Sequence, residues 1–141
     1  MHEALARVKF DSDVADLGGV AADSCDLTVH QRAYPILDVT VRHSRPLRLR
    51  MSAPNWDDQP PSIELLNPDG SALPAPIPGG IFHPGPHPST GCPFICMRGS
   101  LEFHTHPSHL NESWAQYRGQ DGMGLIGILM QIADAWREQT R

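Results

Sequence analysis

The sequence has 141 residues, of which 40% are hydrophobic and 19% are charged, and its formal net charge is −5 at pH 7. This balance is typical of a globular domain with its own core, and we expect a single domain over residues 1–141. The acidic charge, without a basic stripe, argues against nucleic-acid binding, and no apolar run has the length of a transmembrane helix.

The N-terminal stretch carries no apolar segment of the signal-peptide kind, so we expect a cytoplasmic protein without membrane attachment. In that compartment the three cysteines are expected to be thiols or metal ligands rather than disulfides. Twelve of the 14 prolines fall between Pro54 and Pro107, which predicts turns and stiff extended connections in the middle of the chain.

The first half of the chain predicts a helix, a loop and a sheet. Residues 2–10 are compatible with a short helix, and residues 11–24, which are small and acidic, predict a loop. Alternating or β-rich stretches predict four strands: Cys25–Arg32, Ile36–His43, Leu47–Met51 and Ser62–Leu66. The short links between the strands favour hairpins, so we expect an antiparallel meander with one buried face.

The second half is irregular until its last helix. Residues 71–80 are rich in proline and glycine and predict no regular structure. Met123–Arg137 has apolar residues at helical spacing, which predicts an amphipathic helix across the sheet. The expected fold is α+β in two layers: a four-stranded antiparallel meander, a long active-site loop and a crossing C-terminal helix.

The loop Phe82–His109 concentrates the reactive side chains. It holds five of the eight histidines, two of the three cysteines and five prolines, which exclude a long helix or a central strand. Its histidines and cysteines could be structural only. They could also bind zinc, with Cys92, His87 and His109 as the first ligands to consider, although the loop contains no CxxC pair.

A third interpretation is a nucleophilic cysteine at Cys96. Phe94 and Ile95 predict a short extended segment before it, and Gly99 lets the chain turn after it. Neighbouring histidines and Arg98 would favour the thiolate, and an irregular surface loop would admit a substrate. Cysteine is suited to carrying an acyl group, because the thioester it forms stays reactive toward amines.

The order of these motifs resembles that of the ubiquitin-conjugating enzymes, in particular their divergent bacterial relatives. LRLRMSAPNWDDQPPSIELLNP resembles the family's third strand, its loop with paired prolines and its fourth strand. FHP at residues 82–84 resembles the aromatic-His-Pro turn before the catalytic cysteine, and GCPFICM identifies Cys96 as that cysteine. Trp114 and the helix after it complete a resemblance that covers residues 25–137.

This resemblance implies a UBC-like fold and a transferase activity. It implies that an activating enzyme, a ThiF-like adenylyltransferase, hands the C-terminal carboxyl of a ubiquitin-like protein to Cys96. A target protein amine then attacks the thioester, and no cofactor is needed in this protein. The implied setting is a bacterial ubiquitin-like conjugation system with a role in antiviral defence.

The candidate catalytic residues are Cys96, His83, His104 and His106. The resemblance implies that His83 braces the turn before the cysteine. His104, His106 and His109 lie in a stretch that is longer than in the family, and they either orient or deprotonate the amine, line the loop, or belong to an insertion without a catalytic task. Gly85 departs from the family, which has asparagine there. Two alternatives stay open: a zinc-binding module that recruits a partner, and an inactive conjugating-enzyme variant that binds a ubiquitin-like protein non-covalently.

Overall fold

The computed structural model describes residues 2–73 and 77–141. Its helices are α1 (Glu3–Val14), α2 (Gly19–Ser24), α3 (Leu101–Thr105) and α4 (Leu125–Gln139). Its strands are β1 (Leu27–Ala33), β2 (Ile36–Val41), β3 (Leu47–Ser52), β4 (Ser62–Leu66), β5 (Phe82–His83) and β6 (Phe94–Ile95). Two one-turn 3₁₀ helices, Pro107–His109 and Trp114–Gln116, lie between α3 and α4. Within residues 2–73 and 77–141, no helix has the length and apolarity that a membrane crossing requires.

Strands β1 to β4 pair antiparallel in chain order, which confirms the predicted α+β class and the four-stranded meander. Val39 lies opposite Val29 on one side and Leu49 on the other, and Leu49 lies opposite Leu65. These cross-strand neighbours form one apolar row across the sheet. The bounds of β4 are those predicted, and the other three strands shift by one or two residues.

Helix α4 buries one apolar stripe in the core that it shares with the sheet: Leu125, Ile128, Leu129, Ile132, Ala133 and Trp136. The indole N–H of Trp136 donates to the carbonyl of Arg45 at 2.7 Å, and its ring meets that of Phe82 edge-on at 5.2 Å. The last turns of α4 therefore contact both the β2–β3 hairpin and the start of the reactive loop. The helix begins two residues later than predicted and ends two residues later.

The loop predicted over residues 11–24 is wrong, because α1 continues to Val14 and α2 follows it. Phe10 and Val14 are buried at helical spacing, so packing outweighs the low helix propensity of the polar residues between them. The Asp13 carboxylate accepts the Trp56 indole N–H at 2.8 Å and the Leu125 backbone N–H at 3.3 Å. This acidic residue joins α1 to the first turn of α4.

The polar face of the sheet is also partly buried, contrary to the expectation of one buried face. Asp38 is only 2% exposed, because Arg48 and Arg50 close over it at 2.8 and 3.1 Å. Burial alone would raise the pKa of Asp38, but the hydrogen bonds from the two guanidinium groups outweigh it and lower that pKa. The carboxylate thus stays ionised beneath its two partners.

The reactive loop contains more structure than predicted. Phe82 pairs with Ile95 and His83 with Phe94, which confirms the short extended segment before Cys96. The loop then forms α3, a helix that the sequence interpretation missed. Buried Ser100 begins it, since its hydroxyl accepts the Phe103 backbone N–H at 3.1 Å and donates to the Ile95 carbonyl at 2.7 Å.

Helix α3 covers the outer edge of β4. The Leu101 N–H donates to the Pro61 carbonyl at 2.8 Å, and the Ile63 N–H donates to the Glu102 carboxylate at 2.7 Å. Residues 71–80 were expected to be irregular. Within this stretch Ala72 forms a β-bridge with Leu66, and residues 74–76 lie outside the described residues. The edge of the sheet is therefore paired next to the reactive loop.

Candidate active site

Cys96 lies immediately after β6 and lines an open cleft of about 540 Å³. Its backbone N–H donates to the Ile81 carbonyl at 2.7 Å, and its neighbour Ile95 is fully buried. These two contacts fix the backbone while the thiol remains partly exposed. The Sγ atom lies 3.7 Å from Nε2 of His109, which is within hydrogen-bonding range for sulfur.

His109 connects the thiol to a carboxylate. Its Nδ1 lies 2.7 Å from Oε2 of Glu112, and its ring stacks on Phe103 with centroids 4.0 Å apart. An ionised carboxylate can only accept hydrogen bonds. In neutral His109 the proton is therefore assigned to Nδ1, because Nδ1 is the ring nitrogen that faces Glu112. The lone pair of Nε2 then faces the Cys96 thiol, which makes His109 a base for that thiol.

Glu112 completes the row of three side chains. The hydrogen bond from His109 lowers the pKa of Glu112, and Arg98, which contacts the carboxylate at 3.3 Å, lowers it further. The carboxylate therefore stays ionised at neutral pH. Its charge orients the His109 ring, and a carboxylate in this position would stabilise an imidazolium at His109.

The Cys96 thiol is not ionised at rest. Burial raises the pKa of Cys96, and the nearby charge of Glu112 raises it further. Thiolate is the attacking species, so the proton has to leave as the sulfur attacks. His109 is the group placed to accept it. This arrangement suits general-base activation of the thiol better than a stored thiolate.

His104, predicted as catalytic, contacts backbone groups with both ring nitrogens. Its Nε2 accepts the Gly99 N–H at 3.1 Å, and its Nδ1 donates to the Glu112 carbonyl at 2.7 Å. Burial lowers the pKa of His104, although the bond to the Glu112 carbonyl opposes the shift. Neutral His104 therefore joins the turn after Cys96 to the segment that carries Glu112.

His83 and His106 both stack against Phe94, with ring centroids 4.8 and 5.6 Å from it. The Nδ1 of His83 accepts the Gly85 N–H at 2.9 Å, and the Nδ1 of His106 accepts the Ser108 N–H at 3.2 Å. Each ring thus stabilises its own turn, and neither residue lines the cleft that contains Cys96. Their catalytic role stays a prediction.

Gly85 lies in a turn that has room only for glycine. Its φ is +71°, and a Cβ atom at this position would lie 2.6 Å from the Cys92 carbonyl oxygen. Any side chain would collide with backbone here, so the turn requires glycine.

The alternative zinc ligands do not come together. His87 is buried and hydrogen-bonded to the Glu102 carbonyl at 2.8 Å, while Cys92 is exposed and bonded to Thr90. His109 faces Cys96 and Glu112 instead. Across residues 2–73 and 77–141, no group of three or more His, Cys, Asp or Glu side chains is arranged to hold a metal ion.

From the sequence, His109 is expected only as one of the three later histidines and as a possible zinc ligand, and Glu112 is not expected as a site residue. The local signal was His109-x-x-Glu112, a spacing that lets the two side chains meet across one turn. The sequence matches no family model and no curated protein. The features of this chain that bear on its function are the geometry of Cys96, His109 and Glu112 and the order of its motifs.

Proposed function

We propose that the protein is a cysteine-dependent acyl transferase of the ubiquitin-conjugating type, with a UBC-like fold. It accepts the activated C-terminal carboxyl of a ubiquitin-like protein as a thioester on Cys96 and passes it to a target amine. The observation that carries the proposal is the row Cys96–His109–Glu112, with 3.7 and 2.7 Å between successive members. The motif order from β3 to α4 supports the choice of modifier.

In the charging step, Cys96 attacks the thioester that links the modifier to its activating enzyme. His109 takes the Cys96 proton at Nε2 as the new C–S bond forms. The old C–S bond breaks, and His109 returns the proton to the departing thiolate. Glu112 stabilises the imidazolium between these two transfers.

In the transfer step, an amine attacks the carbonyl carbon of the Cys96 thioester. The amide bond forms and the C–S bond breaks, and a proton from the amine moves through His109 to the Cys96 sulfur. The cleft beside Cys96 is open to solvent-borne acceptors, and Arg98, Gln120 and Asp121 are among the residues that line it. These groups offer hydrogen-bond partners to a polar acceptor, next to apolar lining residues such as Met97 and Met123.

The partners follow from this chemistry and from the resemblance. An ATP-dependent, ThiF-like activating enzyme supplies the activated carboxyl, and the ubiquitin-like protein carries it. A bacterial conjugation system that acts in antiviral defence is the setting that the resemblance supports. The chain itself supplies the nucleophile and the base and uses no cofactor in the proposed steps.

A charging assay tests the proposal. The protein is incubated with ATP, a bacterial ThiF-like activating enzyme and its ubiquitin-like protein, and the products are separated with and without reducing agent. The unmodified protein and Cys92→Ser should form a thiol-sensitive adduct. Cys96→Ser should form either no adduct or a thiol-resistant oxyester, and Cys96→Ala should form none.

Two results would contradict the proposal. A thiol-sensitive adduct on Cys96→Ser would assign the acceptor to another cysteine. The second result is tight binding of the modifier without any covalent adduct, in an assay where the activating enzyme itself becomes charged. It would identify the protein as the inactive binding variant.

A further inference from the structure

We propose that the same three side chains give the protein a hydrolytic activity toward acyl thioesters, including the thioester on Cys96. This inference rests on the proposed function for the natural acyl group, which would be the modifier's C-terminus. The hydrolytic chemistry itself depends only on Cys96, His109, Glu112 and the cleft that they face.

The base remains in place after Cys96 has been acylated. His109 regains its neutral form when the leaving thiol takes the proton, and Glu112, which lies 2.7 Å from Nδ1 in the free protein, is not consumed in that step. The Nε2 lone pair then faces the acylated sulfur, which it approaches to 3.7 Å in the free protein. A base in this position removes a proton from any nucleophile that approaches the thioester carbonyl, and water is one.

Water has access to that carbonyl. The cleft has a volume of about 540 Å³, whereas one water molecule occupies roughly 30 Å³ of liquid. Arg98, Gln120, Asp121 and Gln131 contribute polar groups to its lining. A site that protects a thioester excludes water or lacks a base beside it. This site has the base and is open to water.

The hydrolytic cycle balances without a further reagent. In acylation, the Cys96 sulfur bonds to the acyl carbon, the donor C–S bond breaks, and the Cys96 proton passes through His109 to the leaving thiolate. In deacylation, water gives one proton to His109 and bonds to the acyl carbon as the C–S bond to Cys96 breaks. His109 returns that proton to the sulfur, and a carboxylic acid is released.

Decay of an acetyl-enzyme tests the inference without a modifier or an activating enzyme. Cys92→Ser protein is acetylated with p-nitrophenyl acetate and desalted, and loss of the acetyl group is followed by intact mass. The same treatment of a Cys92→Ser, Cys96→Ala protein measures acetylation at other residues. His109→Gln and Glu112→Gln are compared in the Cys92→Ser background. Glu138→Gln, an equal change of charge near the end of α4, is the matched control.

The acetyl group should persist roughly 10²-fold longer on His109→Gln than on the parent protein. This factor is the lower end of the rate acceleration that a general base usually contributes. On Glu112→Gln it should persist roughly tenfold longer, because a neutral amide replaces the charged partner of His109. Glu138→Gln should decay at the parent rate. Equal decay in the parent, His109→Gln and Glu112→Gln proteins would overturn the inference.

A solvent isotope measurement on the parent protein keeps the test independent of how the variants fold. Deacetylation should be slower in D2O, since a proton moves in the rate-limiting step, and equal rates would overturn the inference. Failure of the proposed function gives a different result. A protein that deacetylates as expected but never accepts a ubiquitin-like protein would refute conjugation and leave the hydrolytic activity standing.

Discussion

Replacing His104 separates a positioning role from a chemical one. His104 accepts the buried Gly99 N–H and donates to the Glu112 carbonyl. His104→Ala leaves both groups without this partner, at a cost of about 1–3 kcal/mol for a buried donor and about 0.5–1.5 kcal/mol for a carbonyl that water reaches. We expect the free energy of unfolding to fall by about 2–4 kcal/mol.

His104→Gln is the matched variant, because its amide offers one donor and one acceptor at a similar spacing. It should keep most of the stability and charge Cys96 at close to the parent rate. His104→Ala should charge roughly 10²-fold more slowly, since Glu112 and the turn after Cys96 lose their link. Urea unfolding and the charging assay measure the two effects on the same protein samples.

The pH dependence gives an independent check. Burial lowers the pKa of His104, so the unfolded chain binds this proton more tightly than the folded protein does. The stability that neutral His104 contributes is fully present above the ordinary histidine pKa of about 6.5 and is lost as the pH falls through the lowered value. His104→Gln should lose less stability than the parent over that interval. A folded His104→Gln protein that no longer charges would refute the positioning role.

Three further predictions concern the loop around the site. Glu102→Ala should lower the free energy of unfolding by about 2–4 kcal/mol, because it leaves the buried Ile63 N–H without its acceptor. Glu102→Gln should leave the free energy of unfolding at pH 7 nearly unchanged, because burial raises the pKa of Glu102 and the amide removes the charge that burial disfavours. Equal stabilities of the two variants in urea unfolding would contradict this prediction. Gly85→Ala should cost about 2 kcal/mol or more, and Gly91→Ala, whose Cβ would meet nothing within 4 Å, only about 1 kcal/mol. Elemental analysis of the purified protein should find no stoichiometric zinc, and one zinc per chain would restore the metal-site alternative.

The parts of the fold that depend on local pattern were predictable. The alternation of β2 and β3 and the apolar stripe of α4 identify those elements within two residues. The extension of α1 was not predictable, because Asp13 meets partners 43 and 112 residues away in the chain. The burial of Asp38 depends likewise on arginines of the next strand, which a single-strand pattern does not reveal.

In the candidate site, too, local sequence patterns were informative and long-range contacts could not be foreseen. Cys96 could be selected from its own neighbourhood: a short extended segment, a turn at Gly99 and many nearby histidines. Choosing among those histidines was not possible, since the 3₁₀ turn Pro107–His109 directs His109 to the sulfur while His104 is directed to backbone groups. The carboxylate that orients His109 lies in an exposed segment with no distinctive pattern of its own.

The central claim is tested most directly by identifying the residue that carries the acyl group and by measuring the rate at which that residue is loaded. Single-turnover charging, followed by mass spectrometric mapping of the adduct, measures both for the parent and for His109→Gln. Modifier attached to Cys96, with loading roughly 10²-fold slower on folded His109→Gln, is the predicted result. Attachment at Cys92 or Cys25, or loading of His109→Gln at the parent rate, would contradict the proposed roles of Cys96 and His109.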